Sequence, residues 1–434
     1  MKNHLKVLKF IKEKGFNCWL IGSAVREIIM RRVPVALSIV VEAPSYEKLI
    51  EVFGGEVIKT RTYPYVQSEI FGETAQMSIL RGITITDELA ARDFSINAIA
   101  IRWDGFIEDP FGGRHDIRNK LIRLTGDNVE LLKDNPLRVV RLIRFGVFFD
   151  MNIYWKSEMD TRIFIETHKD EIINSVSARW GREIFIGMRG KPHDMLRLAD
   201  HFGLVSLLIP KLEPLKEIRI IDGGTLFSHT LETLKEIQDH FQKRKPTTND
   251  LIIALAGLFH HVGSTYGNPV EISVSSKIAK EYLKIWGATD NVIERVLIVM
   301  REYRMFYSDR TEYELCKFAL DNGFDTIKAI SEFCLCNIRA SLGADAAKRH
   351  EIIIQNDRRL YEVFRRFEEM WYKMEKANSR YITGEEIAKK LKLSPGNVIK
   401  NLLRKHDELV GVGEIASKRE AINWLENIDA SVYA

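Results

Sequence analysis

Apolar positions recur along this chain first in short runs and then at helical spacing, and the two patterns divide it. Leu5, Leu8 and Ile11 sit on one helical face, so residues 1–20 are expected to open with a helix that feeds a first strand. An apolar run at 18–21 predicts that strand. Next come a small-residue turn at Gly22-Ser23, a short helix beginning near Ala24, and a second apolar run at 36–41. SYEKLIEVFGG reads as a short amphipathic helix stopped by Gly54-Gly55, and VIKTRTYPYVQSEIFG and AQMSILRG read as strands joined by turns. An α+β domain of about a hundred residues follows from this pattern. From VELLKDNPLRVVRLIRF at 129–145 onward the spacing is almost wholly helical, with Gly203 ending one helix and Pro210 punctuating the next.

Composition narrows the class. At 434 residues the chain has room for two to four domains, and 45% hydrophobic with 29% charged residues describes an ordinary soluble globular protein. A net charge of +4 announces no general basic field, so any RNA surface has to be a local patch. Cys18, Cys316, Cys334 and Cys336 lie in apolar surroundings without C-x-x-C spacing, which predicts buried free thiols in a reducing cytoplasm and no zinc site. Residues 1–14 carry lysines through a helical pattern without a secretory apolar core, and no later segment has the length and apolarity of a membrane span. The expected location is the cytoplasm.

The candidate chemistry begins at the first turn. Small residues at Gly22-Ser23 let backbone N–H groups approach an anion, and Arg26 lies in the first turn of the helix behind them. Many strand–turn–helix units bind nothing, so both readings stand on this stretch alone. Further on, ITDELAARDFSINAIAIRW holds Arg92, Asp93 and Asn97; singly these read as a surface ion pair and a cap residue. Arg138, Arg141 and Arg144 recur at i, i+3 and i+6, a basic stripe facing either phosphate or solvent. In the last ninety residues Lys389, Lys390, Lys392, Lys400, Arg404 and Lys405 cluster around a helix capped by Thr383.

Taken in order, these motifs resemble the class II tRNA nucleotidyltransferase and bacterial poly(A) polymerase family. Gly22, Ser23, Val25, Arg26 and Glu27 fit its opening turn and helix. Glu88, Leu89, Arg92, Asp93, Phe94, Ser95, Asn97 and Ala98 fit its Asp/Glu-Leu-x-Arg-Arg-Asp-Phe-(Thr/Ser)-x-Asn-Ala segment, with Ala91 in place of the first arginine. Asp109, Pro110, Gly112 and Gly113 fit the turn that closes its catalytic domain, and Arg179 and Glu183 fit its next helix start, where Trp180-Gly181 is unusual. YITGEEIAKKLKLSPGNVIKNLL and the Ala-x-x-Trp-Leu ending at Leu425 fit its C-terminal module.

The resemblance implies a nucleotidyltransferase-fold head with a mixed sheet and helices on one side (1–125). It implies an all-α neck that binds nucleotide or RNA (126–215), a degenerate HD-like body (216–345) and a helical RNA-binding tail (346–434). By the same resemblance Gly22, Ser23, Arg26, Arg92, Asp93, Asn97, Asn135, Arg138 and Arg141 face a bound nucleotide. The resemblance also implies that the lysine cluster clamps tRNA through its phosphates.

The departures from the family matter as much. Its Asp-x-Asp, which holds the divalent metals, falls on Ala36-Leu37-Ser38; its base-selecting Asp falls on Asn135; and its His…His-Asp motif is reduced to His229, His260 and His261, with Ser264 or Thr265 in place of the following lysine. Neither Ala nor a neutral Ser hydroxyl is a fit ligand for Mg²⁺, so no metal is expected. The three histidines read as core or surface residues. The resulting expectation is a family member with impaired catalysis that binds tRNA or other RNA and, weakly, NTP, with an active paralogue as a partner. Two alternatives stand: an active enzyme with a rearranged or engineered metal site, and a structural subunit that binds neither nucleotide nor RNA.

Overall fold

The computed structural model describes residues 2–59, 63–126, 128–220, 223–241, 245–264, 271–305, 321–341, 381–394, 396–411, 414–415 and 417–428, together with Phe318, Arg358, Glu362, Arg365 and Glu369. The chain folds as two compact units. The first holds 1–219, 225–231 and 277–289; the second holds 220–224, 232–276 and 290–434.

The first unit opens with α1 (Lys2–Glu13), β1 (Cys18–Ile21), α2 (Ser23–Ile29), β2 (Leu37–Val41), α3 (Tyr46–Phe53), β3 (Glu56–Ile58), β4 (Tyr65–Ile70) and β5 (Glu73–Ile79). After these come α4 (Ile85–Ala90), β6 (Ala100–Arg102), β7 (Ile107–Glu108), α5 (Gly113–Arg118) and β8 (Leu121–Ile122). Seven strands make one sheet in the order β3-β4-β5-β2-β1-β6-β7. Only β2–β5 is parallel, so the sheet is mixed, as expected. The local signals hold: Ser45 caps α3 through Lys48 N–H, and Gly54 ends it at φ 69°.

One expectation needs correcting. Helices were expected on one side of the sheet only, yet both faces are covered. Cys18, Leu20, Leu37, Ile39 and Val41 pack with Val7, Leu8, Ile11, Val25 and Leu49 of α1, α2 and α3. The alternate positions Trp19, Ile21, Val40 and Ala100 form a smaller cluster with Ile85 and Leu89 of α4. Because side chains alternate along a strand, an uninterrupted apolar run such as CWLI demands cover on both faces.

The neck continues the unit with α6 (Asn128–Asp134), α7 (Leu137–Phe149), β9 (Asn152–Ile153, paired with β8), α8 (Trp155–Thr167), α9 (Lys169–Ser175), α10 (Ala178–Gly190), α11 (Pro192–His201) and α12 (Leu204–Leu208). Gly203, left-handed at φ 74°, separates the last two. The remaining helices are α13 (Leu226–Phe241), α14 (Thr248–Phe259), α15 (Glu271–Ile285), α16 (Asp290–Glu302), α17 (Phe324–Ser341), α18 (Gly384–Leu391), α19 (Asn397–Gly411) and α20 (Lys418–Glu426). In the second unit α14 is buried from Asp250 to Phe259. The last three helices enclose a core of their own from Ile382, Ile387, Ile399, Leu402, Ile415, Ala421 and Leu425. Thr383 caps α18 in a reciprocal box with Glu386. Apart from Arg358, Glu362, Arg365 and Glu369, residues 346–380 of the expected tail lie outside the described residues, as does Cys316.

Cys18, Cys334 and Cys336 are buried free thiols, and burial pushes the Cys18 thiol up to about 12. Among the described residues no helix is long and apolar enough to cross a membrane.

The unusual Trp180-Gly181 pair has a packing reason. Trp180 is buried, and a Cβ at Gly181 would stand 1.9 Å from the carbonyl oxygen of Trp286, so only glycine lets α10 approach the end of α15. Gly181→Ala is therefore expected to cost about 3 kcal/mol by overpacking against backbone that cannot yield. Gly190→Ala, at a position with open space around it, should be neutral or slightly stabilising. Urea midpoints of the two variants check the contrast.

Candidate functional site

The turn after β1 brings the predicted residues together. Gly22 takes φ 66° and ψ −135°, and a Cβ there would lie 3.3 Å from Arg92 Nη1, so the guanidinium of Arg92 passes over the turn. Ser23 is exposed at the start of α2, a helix of only seven residues. Arg26 is buried. Its Nη1 donates to Asn97 Oδ1 at 2.5 Å, its Nη2 donates to Glu27 at 2.7 Å, and its face lies 4.7 Å over the ring of Phe149 and 5.3 Å over that of Phe145.

From Asn97 the polar contacts run on into the neck. Asn97 closes a single 3₁₀ turn (Ser95–Asn97), and its Nδ2 donates to Asp93 Oδ1 at 2.9 Å. The same oxygen accepts the N–H of Phe94 at 2.9 Å, while Asp93 Oδ2 faces Arg141 Nη2 at 2.7 Å. Arg141 also lies 3.7 Å from Glu183, which accepts from Arg144. One polar chain thus runs from α2 through the 3₁₀ turn to α7 and α10.

Arg138 stands beside this chain. Its guanidinium donates to the carbonyls of Leu131 at 2.5 Å and Ala91 at 3.0 Å, with Asp134 at 3.2 Å. Burial pushes both Arg138 and Arg144 below the usual guanidinium range. The basic stripe of α7 is therefore only partly exposed, with Arg138 buried and Arg141 and Arg144 half-buried. Each of its three arginines is engaged inside the protein. Asn135 is half-buried where α6 meets α7, and its carbonyl accepts the Arg138 N–H.

Sequence reasoning passed over the other half of the site. Glu88, 1% exposed, accepts from Arg81 Nε at 2.7 Å and Nη2 at 2.5 Å, and from Arg92 Nη2 at 2.7 Å. Arg81 stacks on the Tyr63 ring at 3.9 Å. Glu88 and Arg92 are i and i+4 on one helical turn, a spacing readable in sequence; Arg81 follows β5 and has no such local signal. Ser38 is half-buried on β2, and its register partner on parallel β5 is Gln76, itself paired with Gln67 of β4. Ala36 lies in the bend before β2. Neither β2 nor these register positions carry a carboxylate.

The second unit holds the basic cluster. Lys389 and Lys400 are exposed, and Lys392 is exposed in a left-handed conformation at φ 53° where α18 ends. Lys390 is bonded to Glu426 at 2.5 Å, Arg404 lies 4.0 Å from Asp321, and Lys405 is half-buried and engaged. Of the histidines, His229 belongs to the first unit and His260 and His261 to the second. His260 is buried, with Nδ1 2.7 Å from the Gly257 carbonyl. Thr265 lies outside the described residues.

Burial alone would raise the Glu88 carboxyl, but the hydrogen bond from Arg81 and the charges of Arg92 and Arg81 more than offset it and hold it below its ordinary value. A carboxyl lowered on folding contributes stability above its unfolded pKa and loses it as pH falls through the folded pKa. Glu88→Gln should cost about 2 kcal/mol at neutral pH, below the range for fully buried pairs because both arginines are partly exposed. The variant should also lose less further stability than the natural chain between about pH 5 and pH 3, as read from melting temperatures.

Residues 51–123 match the poly A polymerase head domain family. A CC-adding tRNA nucleotidyltransferase of Halalkalibacterium halodurans is 32% identical over 146 residues, 34% of this chain and 38% of that protein. A CCA-adding enzyme of Lactobacillus helveticus is 27% identical over 248 residues, 53% of this chain and 60% of that one. The chain thus spans about two to three fifths of the length of these relatives. The fold is shared more widely: the Bacillus stearothermophilus CCA-adding enzyme solved in complex with CTP superposes with a TM-score of 0.63 at 17% identity, over 98% of each chain. The head-domain match, the relatives and the shared fold together support the class II tRNA nucleotidyltransferase and poly(A) polymerase family for this chain.

Proposed function

We propose that this chain is a family member that binds tRNA and nucleoside triphosphate but adds nucleotides poorly or not at all. One observation carries the reading: β2 and its register neighbours present Ser38, Gln76 and Gln67 where a metal-dependent transferase needs carboxylates. Mg²⁺ is a hard cation that takes oxygen ligands and is bound through carboxylates together with substrate phosphates. A serine hydroxyl and two amides, with Ala36 before them, do not fit it. No step of a transfer reaction is therefore assigned to a metal at this position.

What supports nucleotide binding is the retained framework. Gly22 keeps the turn open beneath Arg92, and Asn97, Asp93 and Arg26 are fixed by one another. On this reading Asn135 replaces a base-selecting carboxylate with an amide that both donates and accepts, which relaxes the choice of base. The four-part division into head, neck, degenerate HD-like scaffold and RNA-binding tail belongs to the same reading, as do a cytoplasmic location and an active paralogue as partner. The relatives' names and the bound CTP supply the ligand classes.

Incorporation of labelled ATP and CTP into tRNA should be negligible with Mg²⁺ or Mn²⁺, since losing the metal's stabilisation of the transition state costs on the order of a thousandfold or more in rate. Robust addition that scales with protein and vanishes in Arg92→Ala would overturn the reading.

Binding of tRNA should fall steeply with salt, because each neutralised phosphate releases counterions. Lys389→Glu combined with Lys400→Glu should weaken it by about tenfold or more and leave the melting temperature unchanged, as both side chains are exposed. Unchanged affinity in filter binding would remove the tail from the RNA surface.

A further inference from the structure

We infer that the head takes its nucleoside triphosphate as the metal-free polyanion, so that Mg²⁺ competes with the protein for the phosphates instead of bridging them to it. This rests on the reading that the cleft beside Gly22 binds nucleotide, and it inverts the metal dependence that the family's chemistry implies.

The first ground is the polarity of the sheet wall. A carboxylate is acceptor-only and repels phosphate unless a cation stands between them. Ser38 and Gln76 lie side by side on one face of β2 and β5, both half-buried, and Gln67 continues the row on β4. A hydroxyl and a primary amide both donate hydrogen bonds to phosphate oxygen directly. The β1–β2 register runs Trp19–Val40, Leu20–Ile39, which brings the end of β1, and Gly22 after it, to the level of Ser38.

The second ground is the charge left over at the turn. Arg26 is paired with Glu27, Arg138 with Asp134, and Arg141 and Arg144 with Asp93 and Glu183. Arg81 and Arg92 share one carboxylate, the buried Glu88, so this trio keeps a positive charge. Both guanidinium side chains are partly exposed, at 30% and 27%, and Arg92 Nη1 overhangs Gly22. A free triphosphate answers that charge. The Mg²⁺ complex carries less negative charge and brings a hydration shell that has no carboxylate to replace its waters.

The test is isothermal titration of the natural chain with ATP, in EDTA and in excess MgCl₂, with ionic strength matched by NaCl so that screening is equal. ATP should bind about fivefold or more tightly in EDTA, and sodium tripolyphosphate should show the same order. The double variant Ala36→Asp and Ser38→Asp should reverse it, with Mg²⁺ tightening ATP. Should that variant fail to fold, Gln76→Glu alone should weaken ATP in EDTA by about fivefold and shrink the penalty from Mg²⁺. Tighter binding with Mg²⁺ by the natural chain overturns the inference and leaves nucleotide binding standing. Absence of binding in both buffers overturns the inference and the nucleotide half of the proposed function together.

Discussion

The carboxylate of Asp93 is the constraint on which the first unit depends. It is 5% exposed; one oxygen accepts from the Phe94 N–H and the Asn97 amide, and the other lies 2.7 Å from the Arg141 guanidinium as an ion pair. A buried charge with one partner removed costs about 3–5 kcal/mol, so the contact holds only while all its members keep their places. It therefore fixes the 3₁₀ turn of the head against α7 of the neck. Arg26 joins the same arrangement through Asn97, and its stacking on Phe145 and Phe149 seats α2 against α7. The residues that shape the candidate cleft are thus also those that hold head to neck, so their retention alone is weak testimony for chemistry.

Much of this was legible in the sequence, and the legible part was local. Helix ends followed from Gly54, Gly203 and Thr383, whose effect depends on the next three or four residues. Arg26, Arg92, Asp93 and Asn97 came from the order of motifs; Arg92 overhangs Gly22, and Arg26, Asn97 and Asp93 are hydrogen-bonded in a row. Partnerships across the fold were not legible. Nothing near Arg141 or Arg144 in sequence announces Asp93 or Glu183, and the stripe at i, i+3, i+6 looks the same whether it faces phosphate or buried acids.

Gln76 is the clearest omission. Its place beside Ser38 depends on a parallel register between strands separated by α3, β3 and β4, which no spacing rule encodes. Arg81 was missed for a similar reason, since its carboxylate partner lies on the helix after it and its stacking partner on the chain before it. The helix α4 on the second face was implied by the unbroken apolar run of β1, a signal present in the sequence but outweighed by the family's expected one-sided layering.

On the proposed reading, loss of a metal site and survival of the fold fit together physically. Two aspartates one residue apart on a strand face share that face, and without cations their repulsion opposes folding. Ala36 and Ser38 remove that repulsion, while the arginines keep carboxylates of their own in Glu27, Glu88, Asp93, Glu183 and Asp134. Arg26, Arg138, Arg141 and Arg144 find their acids within the protein, and only Arg81 and Arg92 share a single carboxylate, so the fold itself needs neither metal nor nucleotide. The catalytic acids are thus the part of such a head that can be lost without unfolding it. The arginines and their partners are the part that cannot, and on the proposed reading they leave behind a cleft suited to an anion.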